Sequence, residues 1–356
     1  MTTPTTRGNV VGMGSNGNRS SRFSKRAVLS MAFVLVASAI SLTAVTISPA
    51  GAADSHVTST CASGGIGYVI AGSDGTGYGF GAQQIGSGNV LPKSGLQLDS
   101  PVVAVLPNTN APSGAYPPLG YTVATSGGGL YSYDTSQGTV TALPSMVGQH
   151  LNSPIVGAAS NGNGYYLVAA DGGVFAFGSG APFLGSMGGQ KLNAPIVGMS
   201  LGYPATPGTS SGYYLVAADG GIFTFGAIPF YGSMGGQRLN APIVGVATTG
   251  PIIPNTPGYW LVASDGGVFS FGQTKFLGST GNIHLNQPIV GMAFGSNSQN
   301  GGPPSANGNQ GYWLVARDGG VFSFGDTNFC GSAAGISPKA PVVGMAGTFP
   351  GYQGGD

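Results

Sequence analysis

The 356-residue chain contains no glutamate; all ten of its acidic residues are aspartates, and only 6% of the chain is charged. It has two cysteines, two tryptophans and three histidines. So few thiols exclude a disulfide-dense scaffold and a four-cysteine zinc site. Five of the eleven basic residues (Arg7, Arg19, Arg22, Lys25 and Arg26) precede residue 27, which leaves six against ten aspartates and a net charge of about −4. That excludes the basic footprint of a nucleic-acid binder. The one apolar run long enough to span a bilayer lies at residues 27–48.

This run follows the basic stretch and ends in Ala50-Gly51-Ala52-Ala53, a small-residue cleavage site. The layout predicts a signal peptide with an extended leading region over 1–53 and an exported domain over 54–356. A membrane is expected as a partner only if the segment is retained as an anchor. Localisation is then extracellular or at the cell surface.

What is abundant is glycine (67) and proline (25), a composition that without a period would indicate disorder. There is a period. The phrase GYWLVASDGGVFSFG (258–272) has relatives starting at Gly67, Gly120, Gly164, Gly212 and Gly311, a spacing of roughly 44–53 residues. A second phrase, of the form PIVGMA, begins at Pro101, Pro154, Pro195, Pro242, Pro288 and Pro341.

Tyr259 to Ala263 is aromatic and β-branched, hence a strand, and Asp265-Gly266-Gly267 supplies a tight turn. Val268 to Phe271 is the return strand, with its phenylalanines on one face. The Phe-x-Gly-Ser segments at Phe183, Phe230, Phe276 and Phe329 are expected to form a short outer strand. The proline-led phrase, apolar on both faces, reads as a central strand. Four short strands per unit make a propeller blade. The fold expected is therefore all-β, a closed six-bladed β-propeller of four-stranded blades. The spare phrase at 341–346 would complete the blade begun at Gly67, so that the termini share the closing blade.

Asp74, Asp171, Asp219, Asp265 and Asp318 are read as structural turn residues, since isolated aspartates do not make a calcium loop. Cys61, just before the first unit, and Cys330, in the last, are read as a disulfide at the junction of the two ends. Connections from each proline-led phrase to the next Gly-Tyr strand vary in length, from Pro154–Gly164 to Pro288–Gly311. They decorate one side of the scaffold, where binding usually resides. Tyr116, Tyr203 and Tyr352 are the candidate ligand platforms there.

Motif searches add no chemistry. Gly198-Met199-Ser200-Leu201-Gly202 matches the serine-elbow pattern, but Ser200 falls where other units carry alanine (Ala293, Ala346) at a strand end. His56, His150 and His284 are read as standing at unrelated positions, so no histidine ring, metal or cofactor is expected. No catalytic residue is assigned.

The units resemble the tandem G-Y-W-L-V-A-x-D-G-G-[V/I]-F-x-F-G repeats of secreted actinobacterial proteins, which stand alone or beside cell-wall hydrolase or protease modules. The resemblance covers about 67–347 and is strongest over the later four units. It implies a propeller-like extracellular accessory module and supplies no catalytic residues. The expectation is a noncatalytic binding or scaffold protein that recognises a cell-surface glycan or an extracellular protein. The alternative is an extracellular hydrolase or lyase with its site at the channel mouth.

Overall fold

A computed structural model describes residues 67–81, 97–107, 120–134, 139–203, 212–249, 257–295 and 310–348. The candidate leader, Cys61, Tyr116 and Tyr352 lie outside them. Among the described residues there is no α-helix, only a short 3-10 turn at Ala334–Ile336, and no helix long and apolar enough to cross a membrane.

Six separate antiparallel sheets are present. In unit five, Ile243–Thr248 pairs with Gly258–Ala263, which pairs through the Asp265-Gly266-Gly267 turn with Val268–Gly272. Units three, four and six repeat this order with Ile155–Ser160, Ile196–Gly202 and Ile289–Gly295 as the proline-led strands. In unit one the chain's last described strand, Val342–Thr348, pairs with Gly67–Gly72, and Tyr68 stands opposite Gly347. The Gly-Tyr strands are buried along their length on both faces, which is why they read as continuous apolar runs.

The expectation of four-stranded sheets is corrected for units three to six, whose sheets have three strands. Among the described residues a fourth strand, Thr139–Ala142, occurs in unit two, and the outer segment of unit one lies outside them. The reason lies in the Phe-x-Gly segments. Their backbone groups do not join a ladder, because a tyrosine of the next unit takes them. Tyr213 donates its hydroxyl proton to the Gly185 carbonyl at 2.6 Å and accepts the Leu184 N–H at 3.1 Å. Tyr259 does the same with Gly232 and Tyr231, and Tyr312 with Gly278 and Leu277. Tyr68 of unit one closes the series on Gly331 and Cys330 of unit six. Gly185 sits at φ +128°, and a side chain there would meet the Phe225 ring, so the segment turns where a strand would run on. The Phe183, Phe230 and Phe276 side chains are 57–61% exposed.

A second series links the sheets through backbone alone. The Ile243 N–H bonds to the Ala218 carbonyl of unit four, and the Ala218 N–H bonds to Pro195 of its own sheet, each at 2.9 Å. The equivalent carbonyls of Ser73, Ser126, Ala170, Ser264 and Arg317 accept from Val102, Ile155, Ile196, Ile289 and Val342. The last of these returns from unit six to the sheet of unit one. Every proline-led strand is bulged just before its glycine or Ala104, as at Ile243/Gly245. Neighbouring bulged strands come close together: a methyl added to Gly157 would lie 3.0 Å from Gly198 Cα.

Candidate functional site

Three places offer themselves: the proline-led strands, the side carrying the variable connections, and the opposite side with the Asp-Gly-Gly turns.

The proline-led strands read VVAVLP, IVGAAS, IVGMSLG, IVGVAT, IVGMAFG and VVGMAGT, with no ionisable side chain on any of them. Ser200 lies within its strand opposite Tyr214, its hydroxyl 3.2 Å from that of Thr248, with no strand–turn–helix around it. No group of three or more metal-ligating residues exists among the described residues.

On the variable side, Tyr203 is described. It is half-buried against the apolar cluster shared by units three and four. The structure does not bring it together with Tyr116 or Tyr352, which lie outside the described residues, as do most of the inserts: 108–119, 204–211, 250–256 and 296–309.

On the turn side, the five predicted aspartates behave alike. Asp171 Oδ1 accepts the Gly173 N–H at 3.0 Å, and Asp219, Asp265 and Asp318 accept from Gly221, Gly267 and Gly320 at 2.9–3.0 Å. Asp74 accepts from Thr76 at 3.0 Å. Each carboxylate satisfies a turn amide that the hairpin leaves without a ladder partner.

Unit two, which has Gly127 in place of the aspartate, solves the same problem with residues that sequence reasoning missed. Gly129 donates its N–H to Thr125 Oγ1 at 2.8 Å, and Thr125 donates in turn to Asp99 Oδ1 at 2.7 Å. Tyr131 donates to the same oxygen at 2.9 Å, and Ser100 Oγ accepts the Gly127 N–H at 2.6 Å. A Cβ on Gly127 would lie 2.3 Å from Asp99 Oδ2, so the missing side chain is what admits the substitute. The signal was present in the sequence: Thr125 replaces the alanine of units three to six in the unit that lacks the aspartate.

The histidine reading is also corrected. Counted back from the proline, His150 and His284 occupy one position, four before Pro154 and Pro288. Lys191 and Arg238 hold it in the two units between, and all four side chains are exposed.

The titratable groups most displaced are tyrosines. Burial pushes the Tyr259 and Tyr312 phenols up to about 12, against weaker opposing help from the backbone groups they bind. Burial moves Tyr68, Tyr121 and Tyr214 upward as well. These shifts mark packed structural phenols, not groups poised for proton transfer near neutrality.

No family model and no curated protein matches the chain. Among solved structures it is similar to BBS1N in complex with ARL6DN: a mercury-soaked crystal gives 10% identity and TM-score 0.36, covering 63% of this chain and 65% of that one. A lead-soaked crystal of the same complex gives 13% identity and TM-score 0.42, covering 73% of each chain. The computationally designed Ika8 protein gives 15% identity and TM-score 0.38, over 76% of this chain and 69% of that one.

Proposed function

We propose that the six sheets are blades of one closed propeller, exported behind the 1–53 leader, which acts as a noncatalytic binding or scaffold protein outside the cell. Closure is supported by the backbone series that runs through all six units and returns from Arg317 to Val342. In this reading a Cys61–Cys330 disulfide fastens the junction. Cys330 is buried there beside Tyr68, and no free cysteine exists among the described residues. The bond would add up to about 4–5 kcal/mol by the chain-entropy model.

Recognition of a cell-surface glycan or an extracellular protein is assigned to the variable connections. What supports this is the arrangement of the described strand ends: every insert joins the end of a proline-led strand to the start of the next Gly-Tyr strand, and equivalent ends lie on one side of a rigid scaffold. The hydrolase or lyase reading has no acid–base pair on the six proline-led strands to draw on.

Glycan-array and cell-wall pull-down binding by secreted full-length protein tests the proposal. Replacing residues 296–309 with the short unit-three connection should abolish binding while leaving the melting temperature unchanged. Retained binding, or turnover of the bound glycan, would overturn it. Amino-terminal sequencing starting at Asp54 and a Cys61–Cys330 peptide in non-reduced digests are the outcomes expected for the leader and the disulfide.

A further inference from the structure

The loops that lead into the proline-led strands after units two to five read QHLN, QKLN, QRLN and IHLN, starting at Gln149, Gln190, Gln237 and Ile283. In each, a half-buried leucine (Leu151, Leu192, Leu239, Leu285) plugs into an apolar cluster. The basic residue before it and the asparagine after it are thereby turned to solvent. The loop is also pinned from behind: Met187 donates its N–H to the Gly172 carbonyl, and Gln190 donates to Met187, each at 2.9 Å. Met146 and Gln149, Met234 and Gln237, and Thr280 and Ile283 repeat both bonds. The polar heads therefore ride on fixed frames, which lowers the ordering cost of binding.

His150, Lys191, Arg238 and His284 differ as side chains yet share one property, a donor N–H at the end of the chain. Among the described residues none of the four uses it in a side-chain hydrogen bond or ion pair. Asp171, Asp219 and Asp265 stand on the same side, but they are half-buried and each has an oxygen engaged by its own turn. Asp74 and Asp99 are exposed on this side, but they belong to units one and two. Each is engaged, Asp74 by Thr76 and Asp99 by Thr125, Tyr131 and Ser100. Beside the four loops the basic groups reach further into solvent than the half-buried carboxylates of units three to five.

We propose that this face is a repetitive binding surface for an anionic polysaccharide. One acidic sugar seats at each loop, its carboxylate on the basic side chain and its hydroxyls on the flanking Asn amide, joined by a Gln amide in the first three loops. A polymer is implied because the element recurs once per unit. Any one exposed contact is weak, and four in a linked row gain by effective concentration. A sugar polymer fits better than a bare polyanion because exposed amides, which pair with hydroxyls, flank the cations. The surface lies at the opposite end of the proline-led strands from the variable connections, so it is independent of the binding assigned to those loops.

The test uses the full chain on immobilised polygalacturonate at low salt, beside the fully methyl-esterified polymer and inorganic polyphosphate. Polygalacturonate is expected to bind, with affinity falling as salt approaches physiological strength. The Lys191→Ser/Arg238→Ser double variant should weaken binding at least about tenfold, while Lys191→Arg keeps it, both at unchanged melting temperature. Replacing 296–309 should leave this binding intact. The proposal is overturned if the esterified polymer binds equally, if polyphosphate binds as tightly as polygalacturonate, if the double variant binds normally, or if the loop replacement abolishes binding.

Discussion

Where unit six meets unit one, the Trp313 ring lies 5.1 Å from Tyr68. Where unit two meets unit three, Thr122 stands at the position of Trp313, buried, with no hydrogen-bond partner for its hydroxyl among the described residues. Units three to six use one solution throughout. The third residue of each Gly-Tyr strand packs on the tyrosine of the following unit: Tyr166 on Tyr213, Tyr214 on Tyr259, Trp260 on Tyr312. Its polar tip turns back to a carbonyl of its own unit. Tyr214 reaches Pro229 at 2.7 Å, Trp260 reaches Lys275 at 2.8 Å and Trp313 reaches Asn328 at 2.9 Å. Tyrosine and tryptophan are interchangeable here because both join a flat apolar body to one donor. Units one and two lack this pair and assemble a replacement from Tyr121, which lies over Gly77, and from the Asp99 network. One regular mechanism and one improvised mechanism thus hold neighbouring sheets in a single molecule.

Alkali should give the largest effect, because it acts on all the regular junctions together. Below about pH 10 the phenols are neutral in both folded and unfolded chains, and stability is full. As pH rises further the unfolded chain ionises while the buried Tyr259 and Tyr312 stay protonated up to about 12, so stability is lost across that window. Circular dichroism should show cooperative unfolding between about pH 10 and 12, and hydrogen exchange should show the tyrosine-locked junctions opening with it. A native spectrum above that window would break the comparison.

Trp313→Ala should cost about 3–5 kcal/mol by urea denaturation. Thr122→Val at the equivalent position should be neutral or stabilise by about 1 kcal/mol, since it removes a buried hydroxyl without a partner. Equal losses at the two positions would show that the improvised junction depends on Thr122 after all.

Tyr259→Phe strands a carbonyl and an N–H and should cost about 1–3 kcal/mol. Tyr121→Phe removes the long bond to Gly75, 3.4 Å, and the interaction with the Gly77 backbone amide, and should cost less than Tyr259→Phe, about 1 kcal/mol. Restoring the repeat's aspartate with Gly127→Asp should destabilise by about 1–3 kcal/mol through collision with Asp99. The Gly127→Asp/Asp99→Ala double variant should recover part of that loss, a non-additivity that a thermal-denaturation cycle measures.

The hairpins, their turns and the pairing of 342–348 with 67–72 were legible because each follows from a local pattern: an apolar strand, Asp-Gly-Gly, and a spare copy of a phrase. What failed was decided at a distance. The Phe183, Phe230, Phe276 and Phe329 segments look like strands from their own residues. The tyrosine that claims their backbone sits 27–35 residues later, or, for Phe329, at Tyr68 in the first unit. Asp99 serves Thr125, 26 residues on, across a turn whose own residue is missing. The shared position of His150 and His284 was hidden for a simpler reason. Connection lengths vary between units, so counting from the Gly-Tyr start scatters the loops, while counting back from the proline aligns them. Of the proposed ligand tyrosines only Tyr203 lies among the described residues. Its half-buried packing shows how an aromatic beside a proline in a long connection can belong to the core.

The pairing of Gly67–Gly72 with Val342–Thr348 also sets an order of assembly. Five sheets are built from stretches close in sequence and can form as soon as their own segment is free. The sixth needs both ends, with Tyr68 and Gly331 joined across 263 positions. The slowest contacts to find are those most distant along the chain, so this sheet is the last to complete. Until then Gly67–Gly72 presents an open edge. Any second molecule in the same condition offers it an identical terminal strand, and rapid completion of the chain's own last strand is what keeps such molecules from exchanging ends.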